Sequence, residues 1–396
     1  MISMADIDQI EEWLIGQALS SPDLPAMFAE MCERLRACNV PVDRAMLVWS
    51  ALHPLIEAEI AFWELGGETY HERITHDQED SDDWLQSPIR AVLLNRDPML
   101  RRRLKSPNAP IEFPLLMRLQ GNGYTDYLAL PTHFEIPAIR AEIENTGIVV
   151  SWATKAKDGF TDDALDAIRY IQKRLALAAR ATLESQISRT IADTYLGVTA
   201  ARKVLDGQIR HGDGETIEAV IYYSDMRHST SIAELLGPEA YLQYLNDYFA
   251  ATAGAVQACQ GEILDFIGDA VLGVFPTDGQ SQKAAVRKAI AAADETRQRI
   301  KAFNTRNSAL PEMKAGIALS TGAVMFGNIG VPDRLTFSVI GQTVHAAARV
   351  ESLTKTAGSN VLMTQDVAAF ATERARAVGD FELYGFSSRQ PLFALE

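Results

Sequence analysis

Two aspartates and an arginine carry the chemistry that this sequence suggests. Asp225 closes the apolar run 219–223, which reads as a buried strand ending in Ser224-Asp225. Asp269 follows Gly268 between two strand-forming runs, 261–267 and 270–275. Glycine at the first position of a two-residue loop suits a II′ hairpin, which needs positive φ there. Two hard oxygen ligands at strand ends, with coordination positions left open, suit Mg²⁺ or Mn²⁺ that also holds substrate phosphates. Singly, an aspartate in a turn is ordinary; the surrounding pattern raises these two above that. His345 and Arg349 stand four apart in a helical stretch and so share a face. Phosphoryl transfer asks for charge stabilisation and in-line positioning more than for covalent chemistry. A planar guanidinium suits phosphate oxygens.

The elements that must position these groups follow from periodicity. Residues 231–259 read as a long helix, 282–303 as another, and 313–319 as a strand. Strand, helix, strand, strand, helix, strand is the split βαβ, ferredoxin-like order. In that topology the first strand neighbours the hairpin, so Asp225 and Asp269 can meet at one sheet edge. Upstream, Thr161 or Asp162 caps a helix that runs to about residue 196. It reads as a connector, with a chain-to-chain coiled coil as the alternative. Residues 1–160 mix amphipathic helices (7–18 and 24–38) with strands at 44–52, 127–130 and 147–153. The acidic stretch 76–84 and the segment 105–114 read as loops. The predicted domains are 1–160, a linker over 161–214, and 215–396.

Composition bounds the partners. The chain has 396 residues, 47% apolar and 22% charged, with a net charge of −15. That is globular usage, and it disfavours non-specific binding to nucleic acid or anionic membranes. Cys32, Cys38 and Cys259 show neither a disulfide framework nor zinc-like spacing. The N-terminus lacks a signal-peptide pattern and no run reaches the length of a membrane helix, so a cytoplasmic location is expected.

Four segments resemble the signature blocks of class III nucleotide cyclases: SDMRHST (224–230), GEILDFIGDAVLGVF (261–275), GIALSTGAVMFGNIG (316–330) and LTFSVIGQTVHAAARVESL (335–353). They stand in the family order over about 180 residues. The resemblance implies an α+β, ferredoxin-like catalytic domain working as a homodimer with sites at the interface. It implies two Mg²⁺ or Mn²⁺ ions per site and conversion of a nucleoside triphosphate to a 3′,5′-cyclic nucleotide and pyrophosphate. Asp225 and Asp269 match the metal-binding aspartates. Met226 matches the residue whose backbone carbonyl also ligates, and Arg349 the arginine that stabilises charge on the transferring phosphate. The first 160 residues resemble a GAF-type sensory domain in their ending, a strand, DGFTDDALDAI (158–168) and a long helix. It would receive an unidentified small-molecule or protein signal. His53, His71, His76 and His133 are candidate ligands for a haem or metal there, against the plainer reading of surface or core residues. Trp49, Trp63 and Trp152 read as core.

This chain departs from the family pattern at several positions. The family usually has Asn at His345 and Gly-Phe at His228-Ser229. A late phosphate-contacting Lys is replaced by Tyr384. Adenylate-forming members have Lys where this chain has Asp265, and Asp or Thr at Ser338. A carboxylate only accepts hydrogen bonds, so Asp265 suits the N1–H and 2-amino donors of guanine, whereas family habit favours ATP. The expectation is an adenylate cyclase, with a guanylate cyclase or a catalytically weak, nucleotide-binding regulatory homologue as alternatives.

Overall fold

Helical periodicity at the N-terminus is realised as α1 (Met4–Ala18) and α2 (Leu24–Ala37). The computed structural model describes residues 2–20, 22–51, 53, 55–76, 81–105, 111–135, 147–210, 212–277, 281–331 and 333–396. The chain divides into two units, Met1–Ile191 and Ala192–Glu396. Among the described residues no helix is long and apolar enough to cross a membrane.

The first unit is built on the strands β1 (Arg44–Ser50), β2 (Ile56–Glu64), β3 (Tyr70–Thr75), β4 (Leu100–Arg103), β5 (Asp126–His133) and β6 (Gly147–Thr154). They form an antiparallel sheet in the order β3-β2-β1-β6-β5-β4. Between them lie α3 (Asp82–Leu85), α4 (Pro88–Leu94) and α5 (Pro114–Gly121). The predicted 44–52 strand stops at Ser50, and the predicted acidic loop contains α3, capped by the Ser81 hydroxyl. Residues 77–80 of that stretch and 106–110 of the other predicted loop lie outside the described residues. Strands β2 and β3 escape the sequence pattern because Glu57, Glu59, His71, Glu72 and Arg73 interrupt their apolar alternation.

The long helix α6 (Asp162–Leu196) is more than a connector. Its apolar face, from Ala164 to Ile187, packs into one core with α1, α2 and one face of this sheet. Gln172 fixes it there: its amide donates to the Leu130 carbonyl at 2.7 Å and accepts from Trp152 Nε1 at 3.1 Å. The helix start is tied by Asp126, which is fully buried and accepts from Phe160 N at 3.1 Å and from Arg101 Nη2 at 2.6 Å. Trp49, Trp63 and Trp152 are all buried, as expected of core residues.

The second unit contains α7 (Val198–Leu205), β7 (Gly214–Met226), α8 (Ser229–Leu236), α9 (Pro238–Ala258), β8 (Glu262–Ile267), β9 (Ala270–Pro276), α10 (Gln282–Arg306), β10 (Ala315–Val331), β11 (Arg334–Ile340), α11 (Gln342–Leu353), β12 (Val361–Thr364), α12 (Gln365–Ala371), β13 (Ala375–Phe381) and β14 (Gln390–Leu395). The sheet runs β13-β14-β12-β10-β7-β9-β8, with β11 paired to β10. Within it β10-β7-β9-β8 is the ferredoxin-like order of the split βαβ pattern. One face packs against α9, α10 and α12 through Tyr248, Val286, Ala289 and Val367. The other carries α7 and α11 over Ile221, Leu272, Phe326 and Phe337. The predicted 231–259 helix is two helices. Pro238, which has no N–H to continue a helix, starts the second, and Gly237 takes φ +76° at the break. The predicted 313–319 strand is longer, because β10 continues to Val331 as the partner of β11.

Candidate active site at the edge of the C-terminal sheet

Thirteen-residue β7 pairs with β9 on one side and β10 on the other, so its end is held from both edges. Asp225 sits at that end, opposite Gly316 of β10. The β8–β9 hairpin turns at Gly268-Asp269, flanked by the Ile267–Ala270 pair, with Gly268 at φ +66° as the II′ turn requires. This brings the Asp225 and Asp269 side chains within hydrogen-bonding reach of each other. Burial, and then the nearby Asp269 carboxylate, push the Asp225 carboxyl above the usual aspartate range, while Lys355 and Arg227 pull it down. Tyr223 and Tyr241 lie close enough to feel both carboxylates, and burial with that negative charge raises their phenols. Met226 is buried and pairs with Ala315.

Two neighbouring carboxylates, one of them partly desolvated, form an acceptor-only pair, which a hard divalent cation satisfies. The donor set, two aspartates and the backbone at Met226, fits Mg²⁺ that keeps positions open for phosphate oxygens. Among the described residues no group of three or more His, Cys, Asp or Glu side chains gathers as a closed metal cage.

Arg349 lies beside two aromatic rings. Its guanidinium lies 5.6 Å from the Tyr384 ring and 6.0 Å from that of Phe386, in cation–π range of both. Asp269, Lys355 and Arg227 act on Asp225, and Asp225 in turn interacts with Glu351. His345 is exposed, one turn before Arg349, and lines a groove of about 490 Å³ with Thr216, Met325 and Ile340. The register of β8 slips between Ile263 and Asp265, so Asp265 pairs with Leu272. This bulge re-aims the strand and turns Asp265 to the sheet face that Leu272 shares with Phe337 and Val339. Ser338 pairs with Gly327 and alternates with the buried Phe337 and Val339, so it lies on the other face of β11.

The residue after the Asp-x-Arg signature also has a structural reading. His228 adopts φ +61°, ψ +27° at the start of α8. That left-handed conformation costs a side-chain-bearing residue ~1 kcal/mol or more, which is why glycine suits the position.

Sequence reasoning missed a buried cluster beside this site: Arg227, Glu351, Thr354 and the glycine Gly316 that makes room for them. Its signal is a charge on a buried stripe, since Ala347 and Glu351 are four apart on α11 and both buried. Burial, then Asp225, raises the Glu351 carboxyl, while Arg227 and Lys355 oppose the rise. Three histidines of the first unit have protein partners: His71 meets Glu59 at 2.7 Å and stacks on Trp49, and His76 meets Glu57 at 2.7 Å. His53 Nδ1 accepts from Leu55 N at 3.0 Å, and His133 is exposed at the end of β5.

Residues 214–393 match the family model described as "Adenylate and Guanylate cyclase catalytic domain". The chain is 32% identical over 192 residues to the adenylate cyclase of Anabaena cylindrica, covering 47% of this chain and 36% of the relative. It is 32% identical over 157 residues to adenylate cyclase 1 of Rhizobium meliloti (strain 1021), covering 38% and 23%. It therefore spans about a third or less of the length of these relatives. Among solved structures, the adenylyl cyclase CyaB from P. aeruginosa aligns at a TM-score of 0.42 and 23% identity, over 46% of this chain and 95% of that one. The guanylyl cyclase Cya2 aligns at 0.41 and 28%, with the same coverage. The family match spans the strand that ends in Asp225, the Asp269 hairpin and the Arg349 helix together, and residues 214–393 are a catalytic domain of the class III adenylate and guanylate cyclase family.

Proposed function

We propose that this protein is an adenylate cyclase that converts ATP to 3′,5′-cyclic AMP and pyrophosphate at a site shared by two chains. The observation that carries the reading is the pairing of the Asp225 and Asp269 carboxylates at the β7 end and the β8–β9 turn. Two bound Mg²⁺ or Mn²⁺ ions would acidify the ribose 3′-hydroxyl and neutralise the phosphates. Asp225, Asp269 and the Met226 carbonyl would hold those ions at the end of β7. In the reaction the 3′-oxygen bonds to the α-phosphorus and the bond from that phosphorus to the β-phosphate oxygen breaks. Pyrophosphate departs, and the hydroxyl proton passes to water. Arg349 donates to the α-phosphate oxygens as negative charge develops there. His345 donates an N–H beside it in place of the usual Asn amide. The first unit, with its antiparallel sheet faced by helices on both sides, serves as the GAF-like sensory domain.

GTP is the second reading for the substrate. The bulge in β8 turns Asp265 onto a packed sheet face rather than to open solvent, and a carboxylate there suits guanine's paired donors. ATP stays ahead on family habit. The deciding experiment is purified full-length protein with Mn²⁺ and either ATP or GTP, scored for cyclic product. Cyclic AMP as the main product is expected. No cyclic product from either nucleotide overturns the cyclase reading, and cyclic GMP alone overturns the choice of base.

A further inference from the structure

Beside the paired carboxylates lies an ion pair that takes no part in the chemistry above. Arg227 follows Met226 at the end of β7 and anchors its backbone N–H on the Lys314 carbonyl at 2.9 Å. Glu351 is two residues past Arg349 on α11. The two are only 9% and 2% exposed. Arg227 Nη1 stands 3.6 Å from Glu351 Oε1, and Arg227 Nη2 donates to the Thr354 hydroxyl. Thr354 in turn donates to the Glu351 carbonyl at 2.5 Å. The cluster crosses β10 at Gly316, the partner of Asp225 in the register. A Cβ on Gly316 would fall inside contact distance of Glu351, Thr354 and Arg227 at once.

Stability alone does not account for this arrangement. A buried ion pair is often no better than a well-packed apolar pair of the same volume. This one also leaves Arg227 Nη1 without a hydrogen-bond partner among the described residues, a defect that an apolar pair would not have. What charges give, and apolar packing does not, is a fixed direction and distance. The pair joins the two elements that carry the reacting groups: Asp225 lies two residues before Arg227 and Arg349 two residues before Glu351. The gap between Nη1 and Oε1 is open by roughly 0.7 Å relative to a closed charge-assisted bond. Closing it would draw α11 toward the end of β7.

We propose that Arg227 and Glu351 are positioning residues, whose buried pair beneath Gly316 sets the spacing between the strand end bearing Asp225 and the helix bearing His345 and Arg349. The inference rests on the cyclase reading of the site. In a shared-site dimer the strand end and the helix of one chain serve opposite sites, so one pair sets geometry in both.

The test is the double variant Arg227→Met/Glu351→Leu, which removes both charges and keeps the volume filled, beside the single Glu351→Leu, which strands a buried cation. The single variant is expected to lose thermal stability and the double to recover it. The double variant should nevertheless turn over about tenfold more slowly with KM within about threefold, because ground-state binding survives and alignment does not. Its backbone amides over 342–353 should exchange hydrogen faster than in wild type. Wild-type kcat in the double variant, or a loss of kcat only in step with a loss of melting temperature, overturns the proposal. Should wild type itself make no cyclic nucleotide, the cyclase reading fails separately. Exchange then decides alone: acceleration over 342–353 upholds the positioning role and unchanged exchange overturns it.

Discussion

Asp225 shows how a carboxylate proposed to bind metal is made costly to its own fold. Burial and the neighbouring Asp269 raise its carboxyl above the ordinary range. A raised carboxyl means that the folded chain holds the proton more tightly than the unfolded one. The stability this contributes is complete below the unfolded value and is lost as pH rises through the folded value. At neutral pH the metal-free fold therefore carries an unrelieved repulsion. We predict that Asp225→Asn raises the melting temperature of the metal-free protein near neutrality. That advantage should shrink as the pH falls through the raised folded value and vanish below the ordinary aspartate range. Saturating Mg²⁺ should reverse the order, since wild type alone gains a bound cation. Thermal unfolding with and without metal from acid to neutral pH checks this, and an Asn variant less stable than wild type without metal at neutral pH would sink it. The site aspartates were legible in the sequence because a strand end and a two-residue turn are local signals. Arg227 and Glu351 were not, because their meeting depends on a crossing at Gly316 that no local pattern records.

At the scale of elements, the least legible feature is the slip in β8. Plain alternation leaves the facing of Asp265 open between base reading and solvent, and a bulge adds one residue that changes which side chains share a face. The structure places Asp265 with Leu272 on the face that packs toward β11. A carboxylate there accepts from guanine's two donors, but beside adenine it meets the N1 lone pair. Buried polar groups left unpaired by the wrong base are what give a site discrimination. Asp265→Lys should therefore raise the ratio of kcat/KM for ATP over GTP by about tenfold, ~1.4 kcal/mol. Kinetics with both nucleotides on both proteins measure it, and an unchanged ratio removes Asp265 from base recognition. Longer-range rules served better elsewhere. The β10-β7-β9-β8 order follows from the βαββαβ succession, because each helix must cross back over one face of the sheet. The same reasoning failed to separate α8 from α9, although Gly237-Pro238 is a strong local breaker.

At the scale of the whole molecule, the proposed chemistry is spread over different elements of the chain, the aspartates on β7 and the β8–β9 turn and the arginine on α11. Asp269, Lys355, Arg227 and Glu351 interact with Asp225, while Arg349 lies against Tyr384 and Phe386. A guanidinium held against those rings must still reach the α-phosphate of a substrate bound at the aspartates. A two-fold dimer resolves this if each site takes its aspartates from one chain and its arginine from the other, since an isologous interface presents both halves twice. Complementation follows from that geometry. An Asp225→Ala chain keeps its arginine, and an Arg349→Ala chain keeps its aspartates. Each parent alone should be inactive. Random exchange of equal amounts makes half of the dimers mixed, and each mixed dimer holds one complete site and one lacking both groups. The mixture should thus recover about a quarter of wild-type activity per chain. Activity at that level, proportional to the mixed-dimer fraction measured by native mass spectrometry, supports the shared site. Mixed dimers that form yet remain as inactive as either parent would place Arg349 and Asp225 in the same site of one chain, or outside the reaction altogether.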